Sequence, residues 1–262
     1  MQRKNTLPTL SFIILWVLLL SSACSTFSPP VPTSTSTPKP TATNTAIPTE
    51  TAVPTSTPRP TRTPNLAATQ HMSDLQAEAQ SYFEEGYIKS ADGRFREYDD
   101  FNEEWAQLGW YSWWTLGQNA KDFYISAHFK WTSAYRSADL SGCGFAFAIQ
   151  GDNDHYAVFL DRSKVYFVET AEYYTPFSPT RGTGRVNFGN PFDLPVEADF
   201  TLIVQGTTAY VLVDQDLVGE YTLSQSKQLR GGLGLTLLSG TNRDFGTRCE
   251  MTDIRVWTSQ GG

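Results

Sequence analysis

The sequence predicts an all-β domain, an antiparallel sandwich or barrel, carried on an extended stalk behind a targeting signal. Three observations predict it. From Tyr87 to the C-terminal region, apolar and polar residues alternate with a period of two, the pattern of half-buried strands. Clusters of Gly, Asn, Asp and Ser punctuate that pattern, with no convincing helical period between them. Prolines are concentrated outside it, 10 of the 15 lying between Ser28 and Pro64. The 262 residues are 40% hydrophobic and 13% aromatic, enough for one sizeable core. Charged residues make up only 18% and the formal net charge is −7, which argues against a nucleic-acid partner because phosphate contacts need a basic surface.

The chain opens with Arg3 and Lys4, an almost unbroken apolar run from Leu10 to Leu20, and the small residues Ser21, Ser22 and Ala23 before Cys24. This is the layout of a secretory signal over residues 1–23. The apolar run is far short of the roughly 20 residues needed to span a bilayer. The segment Leu20-Ser21-Ser22-Ala23-Cys24 resembles the lipobox of bacterial lipoproteins, with Ser21 where the preferred Leu would stand. The resemblance implies cleavage before Cys24 and acylation of its thiol, and hence an extracytoplasmic protein held to the cell membrane by an N-terminal lipid. An ordinary secretory cut that leaves Cys24 as a spare thiol is the alternative.

Residues 24–65 read as a linker. Ser28 to Pro64 contains 10 Pro, 12 Thr and 4 Ser and no aromatic residue, so nothing in it can build a core. Proline favours the polyproline conformation, and 37 residues would reach at most about 115 Å. Such a disordered spacer suits a domain displayed away from a membrane.

Residues 66–86 predict one short helix. Met72, Leu75, Ala79, Tyr82 and Phe83 recur at helical spacing, Ser73 with Gln76 reads as a capping box, and Gly86 ends the segment. The strand region follows over 87–258, with a short tail at 259–262. Asp92-Gly93 predicts a hairpin between Tyr87–Ala91 and Arg94–Tyr98. Phe123, Ile125, Ala127, Phe129 and Trp131 fall on one face of a strand, and Tyr124, Ser126, His128 and Lys130 on the other. Further strands are expected over 142–150, 155–160, 164–169, 200–205, 209–214, 217–223, 233–239 and 248–258. The longest break, Thr170 to Asp199, holds four prolines and reads as a long loop.

With Cys24 assigned to lipid, Cys143 and Cys249 remain as an even pair in an oxidising compartment, and a disulfide between them is expected. Two free thiols at a metal site would lack the closely spaced Cys and His partners that zinc requires.

Several segments in order carry a resemblance: Gly144-Phe145-Ala146-Phe147, Asp154-His155-Tyr156-Ala157-Val158, Val165-Tyr166-Phe167, Val211-Leu212-Val213-Asp214, Gly232-Leu233-Gly234-Leu235 and Met251-Thr252-Asp253-Ile254-Arg255-Val256-Trp257. Together they resemble the concanavalin A-like lectin/glucanase jelly roll, most of all its laminin G-like and 3-keto-disaccharide hydrolase-like branches. The resemblance covers about Tyr87 to Thr258 and implies an antiparallel β-sandwich. It specifies fold far more than activity, since the superfamily holds lectins, adhesion modules and glycosidases.

Glucanases of this fold carry Glu-x-Asp-x-Glu or Glu-x-Asp-x-x-Glu on a strand, which sets paired carboxylates about a glycosidic bond. Neither pattern occurs here. Glu169 and Glu172 would fall on opposite faces, and no Gly-x-Ser-x-Gly elbow or Cys–His pairing stands in for them. The sequence therefore favours a binding domain over an enzyme. An anchored glycoside or keto-sugar hydrolase with a noncontiguous site, or a purely structural surface domain, is the alternative. No cofactor is expected, although Asp152-Asn153-Asp154 has the oxygen spacing of a calcium loop; Asp and Asn are also the preferred residues of a turn.

The aromatic inventory is the functional lead. Trp105, Trp110, Tyr111, Trp113 and Trp114 lie within ten residues, and period two sends Tyr111 and Trp113 to the face opposite Trp110 and Trp114. They cannot all enter one core. Tyr111 and Trp113, with Tyr173 and Tyr174 from the long loop, are the candidate ligand-binding residues, and a glycan or cell-envelope polysaccharide is the partner such a platform suits.

Overall fold

A computed structural model describes residues 66–138, 140–170, 174–190 and 194–260. The signal, Cys24, the linker and Tyr173 lie outside the described residues. In chain order the elements are α1 (Leu66–Glu84), β1 (Gly93–Glu97), β2 (Phe101–Trp105), β3 (Trp110–Ala120), β4 (Phe123–Ser133), β5 (Gly142–Gly151), β6 (Asp154–Leu160), β7 (Val165–Thr170), β8 (Tyr174–Pro176), β9 (Arg181–Gly182), β10 (Val196–Gln205), β11 (Thr208–Val213), β12 (Asp216–Thr222), β13 (Gly231–Ser239) and β14 (Thr247–Ser259). They build two antiparallel sheets, one in the order β1-β14-β4-β10-β11-β12-β9 with β2 also on β14, the other in the order β3-β13-β5-β6-β7-β8. Each sheet has its own free edges, so the fold is a sandwich and not a barrel.

Strict alternation explains the core. Phe123, Ile125, Ala127, Phe129 and Trp131 of β4 face Cys143, Phe145 and Phe147 of β5 across the gap between the sheets, and Leu202, Val204, Val211, Leu235 and Leu237 fill the same layer. The rings interlock: Phe129 lies 5.2 Å from Phe145 and 5.0 Å from Phe200, centroid to centroid. Cys143 and Cys249 are joined as expected, Cα atoms 5.9 Å apart, so the disulfide ties β5 of one sheet to β14 of the other through the core.

The eight-stranded sheet is buried on its outer face as well. Alternate residues Tyr124, Ile203, Leu212 and Trp257 meet Ala79 and Tyr82 of α1 together with Ile88. The face of β4 that carries Tyr124 and Ser126 is therefore covered, where alternation alone predicted a polar surface. The helix differs from its sequence reading in three ways. It begins by Leu66, so Ser73 sits in its interior and caps nothing; Met72 and Phe83 are exposed; only Leu75, Ala79 and Tyr82 are buried. Its end is as expected: Gly86, at φ +80°, turns the chain so that Tyr87 and Ile88 N–H both donate to the Tyr82 carbonyl.

The hairpin expected around Asp92-Gly93 does not form. Residues 87–91 join the helix cluster, and β1 pairs instead with β14, Phe95 opposite Trp257. The free edge of a long, twisted strand outcompetes a local turn, and Gly93 fits there because a Cβ would collide with the Trp257 indole. The expected long loop also contains β8 and β9, and β10 starts at Val196.

Replacing Cys143 and Cys249 together by Ala should lower the unfolding free energy by about 4–5 kcal/mol, since the bond closes 106 residues of chain. Urea unfolding of the oxidised wild type against the variant measures this.

Candidate functional site

The outer face of the six-stranded sheet holds a second aromatic cluster. Registers place Trp113 of β3, Thr236 of β13, Gly144 of β5, Phe159 of β6 and Tyr166 of β7 in one row across the sheet. Flanking rows contain Tyr111, Leu238 and Gly142, and then Thr115, Gly234, Ala146, Ala157 and Val168. The central strands thus present small residues outward and large ones to the core. Gly144 is obligatory, because a Cβ there would run into the Val158 carbonyl.

This sheet is curled towards that outer face. Five spacings of about 4.8 Å would hold edge strands β3 and β8 about 24 Å apart in a flat sheet. Yet Tyr174 of β8 lies 5.7 Å from Tyr111 and 6.0 Å from Trp110, ring to ring. Two bulges accompany the curl, one between Gly232 and Gly234 of β13 and one between Phe147 and Gly151 of β5, where Ala148 has a φ of +53°. Curling makes rings from opposite edges converge.

At the centre stands His155. Its Nδ1–H donates to the Gly151 carbonyl at 3.4 Å, so Nε2 is the acceptor for the Tyr111 hydroxyl at 2.7 Å. The Trp113 ring lies 4.7 Å from the imidazole. Burial lowers the His155 pKa to about 4, the nearby Lys227 acting in the same direction, so the imidazole is neutral at physiological pH. Burial also raises the Tyr111 phenol above its ordinary value.

Lys227, from the connection before β13, fixes this end of the sheet. Its ammonium donates to the carbonyls of His155 (3.1 Å) and Thr170 (2.5 Å), pairs with Asp154 at 3.0 Å and lies over the Tyr156 ring. Glu169 stands 3.8 Å away. Thr170 completes the knot by donating its hydroxyl to the His155 carbonyl. Asp154 is thus engaged by Lys227, and among the described residues no group of three His, Cys, Asp or Glu is placed to share a metal ion.

The structure brings Tyr111, Trp113 and Tyr174 together, in different environments. Tyr111 is 9% exposed and acts as packing; Trp113 is half-buried; Tyr174 is 47% exposed. Trp110, which parity directs towards the core, extends from the end of β3 and is 51% exposed beside Tyr174. His155 is not among the residues the sequence singles out, although it shares the parity of Ala157 and Phe159 on β6. Nothing local marks Lys227, whose role depends on how its loop folds back.

A second concavity, of about 410 Å³, separates α1 from the eight-stranded sheet. Two ion pairs lie in it: Arg255 with Glu78 at 3.6 Å, and His128 with Asp199 at 2.8 Å. Hydrogen bonding to Asp199 raises the His128 pKa, and burial raises that of Glu78. The Arg255–Glu78 pair joins β14 to α1, whereas His128 and Asp199 pair across β4 and β10 within the sheet.

Solved structures similar to the chain include a carbohydrate-binding module from Bacillus subtilis (12% identity, 62% of this chain and 94% of that one, TM-score 0.41). Others are the Bacillus licheniformis β-glucanase (13%, 55% and 69%, TM-score 0.39) and a fructosyltransferase from A. japonicus (13%, 64% and 27%, TM-score 0.42). The chain spans about a quarter of the last. No family model and no curated protein matches the chain. Likenesses this weak say nothing of ligand or activity here.

The imidazole makes a testable contribution. A histidine whose folded pKa is depressed stabilises the native state fully only above its unfolded pKa, because below it the unfolded chain takes up a proton that the folded one refuses. Between pH 6.5 and 4 the wild type should lose up to about 3 kcal/mol relative to His155→Gln. Urea unfolding of both proteins at pH 7 and pH 4 gives the difference, in which the opposite contributions of His128 and Glu78 cancel.

Proposed function

We propose that the domain recognises carbohydrate through the aromatic edge formed by Trp110, Trp113 and Tyr174, and that acylated Cys24 and the Thr/Pro-rich linker display it outside the cell membrane. One observation carries the recognition reading: rings from opposite edges of one curled sheet converge on an exposed surface with no formal charge of its own. Flat rings suit the apolar C–H faces of sugars, while the Tyr174 hydroxyl and the Trp110 and Trp113 indole N–H groups are hydrogen-bonding partners for sugar hydroxyls. Two carboxylates near this end of the sheet, Asp154 and Glu169, are drawn to Lys227. That favours binding over hydrolysis.

A glycan array tests the recognition reading directly. Trp110→Ala and Tyr174→Ala should each weaken binding about tenfold, near 1.4 kcal/mol. Because both rings are half in solvent, stability should change by no more than about 0.5 kcal/mol. An array on which the wild type binds nothing removes the proposal. Intact mass of the membrane-extracted mature chain should show acyl groups on residue 24; an unmodified thiol there would leave the domain unanchored.

A further inference from the structure

Tyr111 lies across the outer face of the curled sheet. Its ring starts on edge strand β3 and its hydroxyl ends on His155 of β6, three strands away. On the way it contacts Phe159, centroids 5.1 Å apart, and Tyr174 at 5.7 Å. The strands it crosses, β13 and β5, point Gly234, Thr236, Gly142, Gly144 and Ala146 at this face, so no large side chain from their middle competes for the space. Leu238 is the largest apolar residue those two strands add to the cluster. Trp113 of β3 also reaches the imidazole, 4.7 Å away, so the trough left without the tyrosine ring would begin beside the indole, floored by glycine, alanine and threonine and walled by Phe159 and Tyr166 on the far side.

We infer that Tyr111, tethered to His155, determines specificity by closing this trough to the interior of a polysaccharide chain. What stays accessible is the rim of Trp110, Trp113 and Tyr174, which can hold a chain end or a single sugar but cannot be threaded by a polymer. The inference rests on the carbohydrate reading and narrows it to neutral saccharides presented by their termini. The physical argument is one of alternatives. A buried tyrosine hydroxyl bonded to a buried neutral imidazole is satisfied only in this conformation, and swinging the ring out would leave Nε2 without its donor. The ring therefore stays across the face in the absence of ligand.

The experiment compares affinities of the full mature chain for short and long neutral β-glucans of one linkage, laminari-oligosaccharides and laminarin, and for a parallel starch-derived series. Wild type should bind short and long members of a series equally per chain, because it reads an end. Tyr111→Ala, and independently His155→Leu, which keeps the tyrosine but removes the tether so that its ring can swing out, should make affinity climb with chain length by at least tenfold. Tyr111→Phe should fall between. A purely structural role for Tyr111 would lower stability without creating any dependence on length. The proposal is overturned if the variants unfold cooperatively, keep their near-ultraviolet dichroism and still show wild-type length independence, or if the wild type already favours long chains. Binding of short sugars by the wild type in either case leaves the carbohydrate reading standing, whereas no binding by any of the proteins ends both.

Discussion

The curl of the six-stranded sheet is the constraint on which the rest of the site depends. It arises where the chain trades side-chain bulk for backbone proximity: Gly142 and Gly144 on β5 and Gly234 on β13 lack the atoms that would hold the outer face open. Bulges on the same two strands add twist. Their inward neighbours are Cys143, Phe145, Leu233 and Leu235, so the core side is full while the outer side is bare. A sheet unequally filled on its two faces bends towards the emptier one. The consequence is contact between β3 and β8, which no pairing of neighbouring strands would produce.

That origin explains what could be read from the sequence. Strand positions follow from alternation, a local property, and β5, β6, β7, β10, β11, β12, β13 and β14 all lie where period two places them, with ends shifted by a residue or a few. The disulfide followed from parity of count and compartment. Tyr111 and Trp113 stood out because five aromatic residues in ten cannot share one face. What alternation cannot supply is the third dimension. Trp110 has core parity but lies beyond the end of the core; Lys227 reaches its partners only when its loop folds back over β6 and β7. The Asp92-Gly93 turn signal lost because the edge of β14 offered Phe95 a better partner in Trp257. For the helix, Met72 and Phe83 fit the period yet stay in solvent, since the sheet beneath α1 is wide enough to cover only Leu75, Ala79 and Tyr82.

The two outer faces are closed by different physics. On the eight-stranded sheet, Tyr124 stacks with Trp257 at 5.6 Å and meets Tyr82 edge-on at 5.0 Å, but the Tyr124 hydroxyl and the Trp257 indole N–H find no hydrogen-bond partner. Each such group costs about 1–3 kcal/mol, which the apolar area buried under α1 must exceed. That face is committed to packing. On the six-stranded sheet the corresponding polar atoms are satisfied, Tyr111 by His155 and His155 by Gly151. A surface whose polar groups are paired and whose rings remain partly in water loses little when another molecule replaces that water.

Electrostatics decide what the aromatic surface can desolvate at little cost. The chain carries a formal charge of −7, yet Trp110, Tyr111, Trp113, His155 and Tyr174 together carry none at neutral pH. Desolvating neutral hydroxyls and ring faces costs far less than desolvating a carboxylate, so a neutral, hydroxyl-rich ligand can approach without an ion being stripped of water. Glycoside hydrolysis would need the reverse: two carboxylates set on either side of a bound sugar, one of them holding a proton and neither neutralised. Here Asp154 and Glu169 both face the buried Lys227 ammonium, which also donates to the carbonyls of His155 and Thr170. The same lysine thus ties the strand ends that carry His155 to the carboxylate of Asp154 beside the aromatic surface.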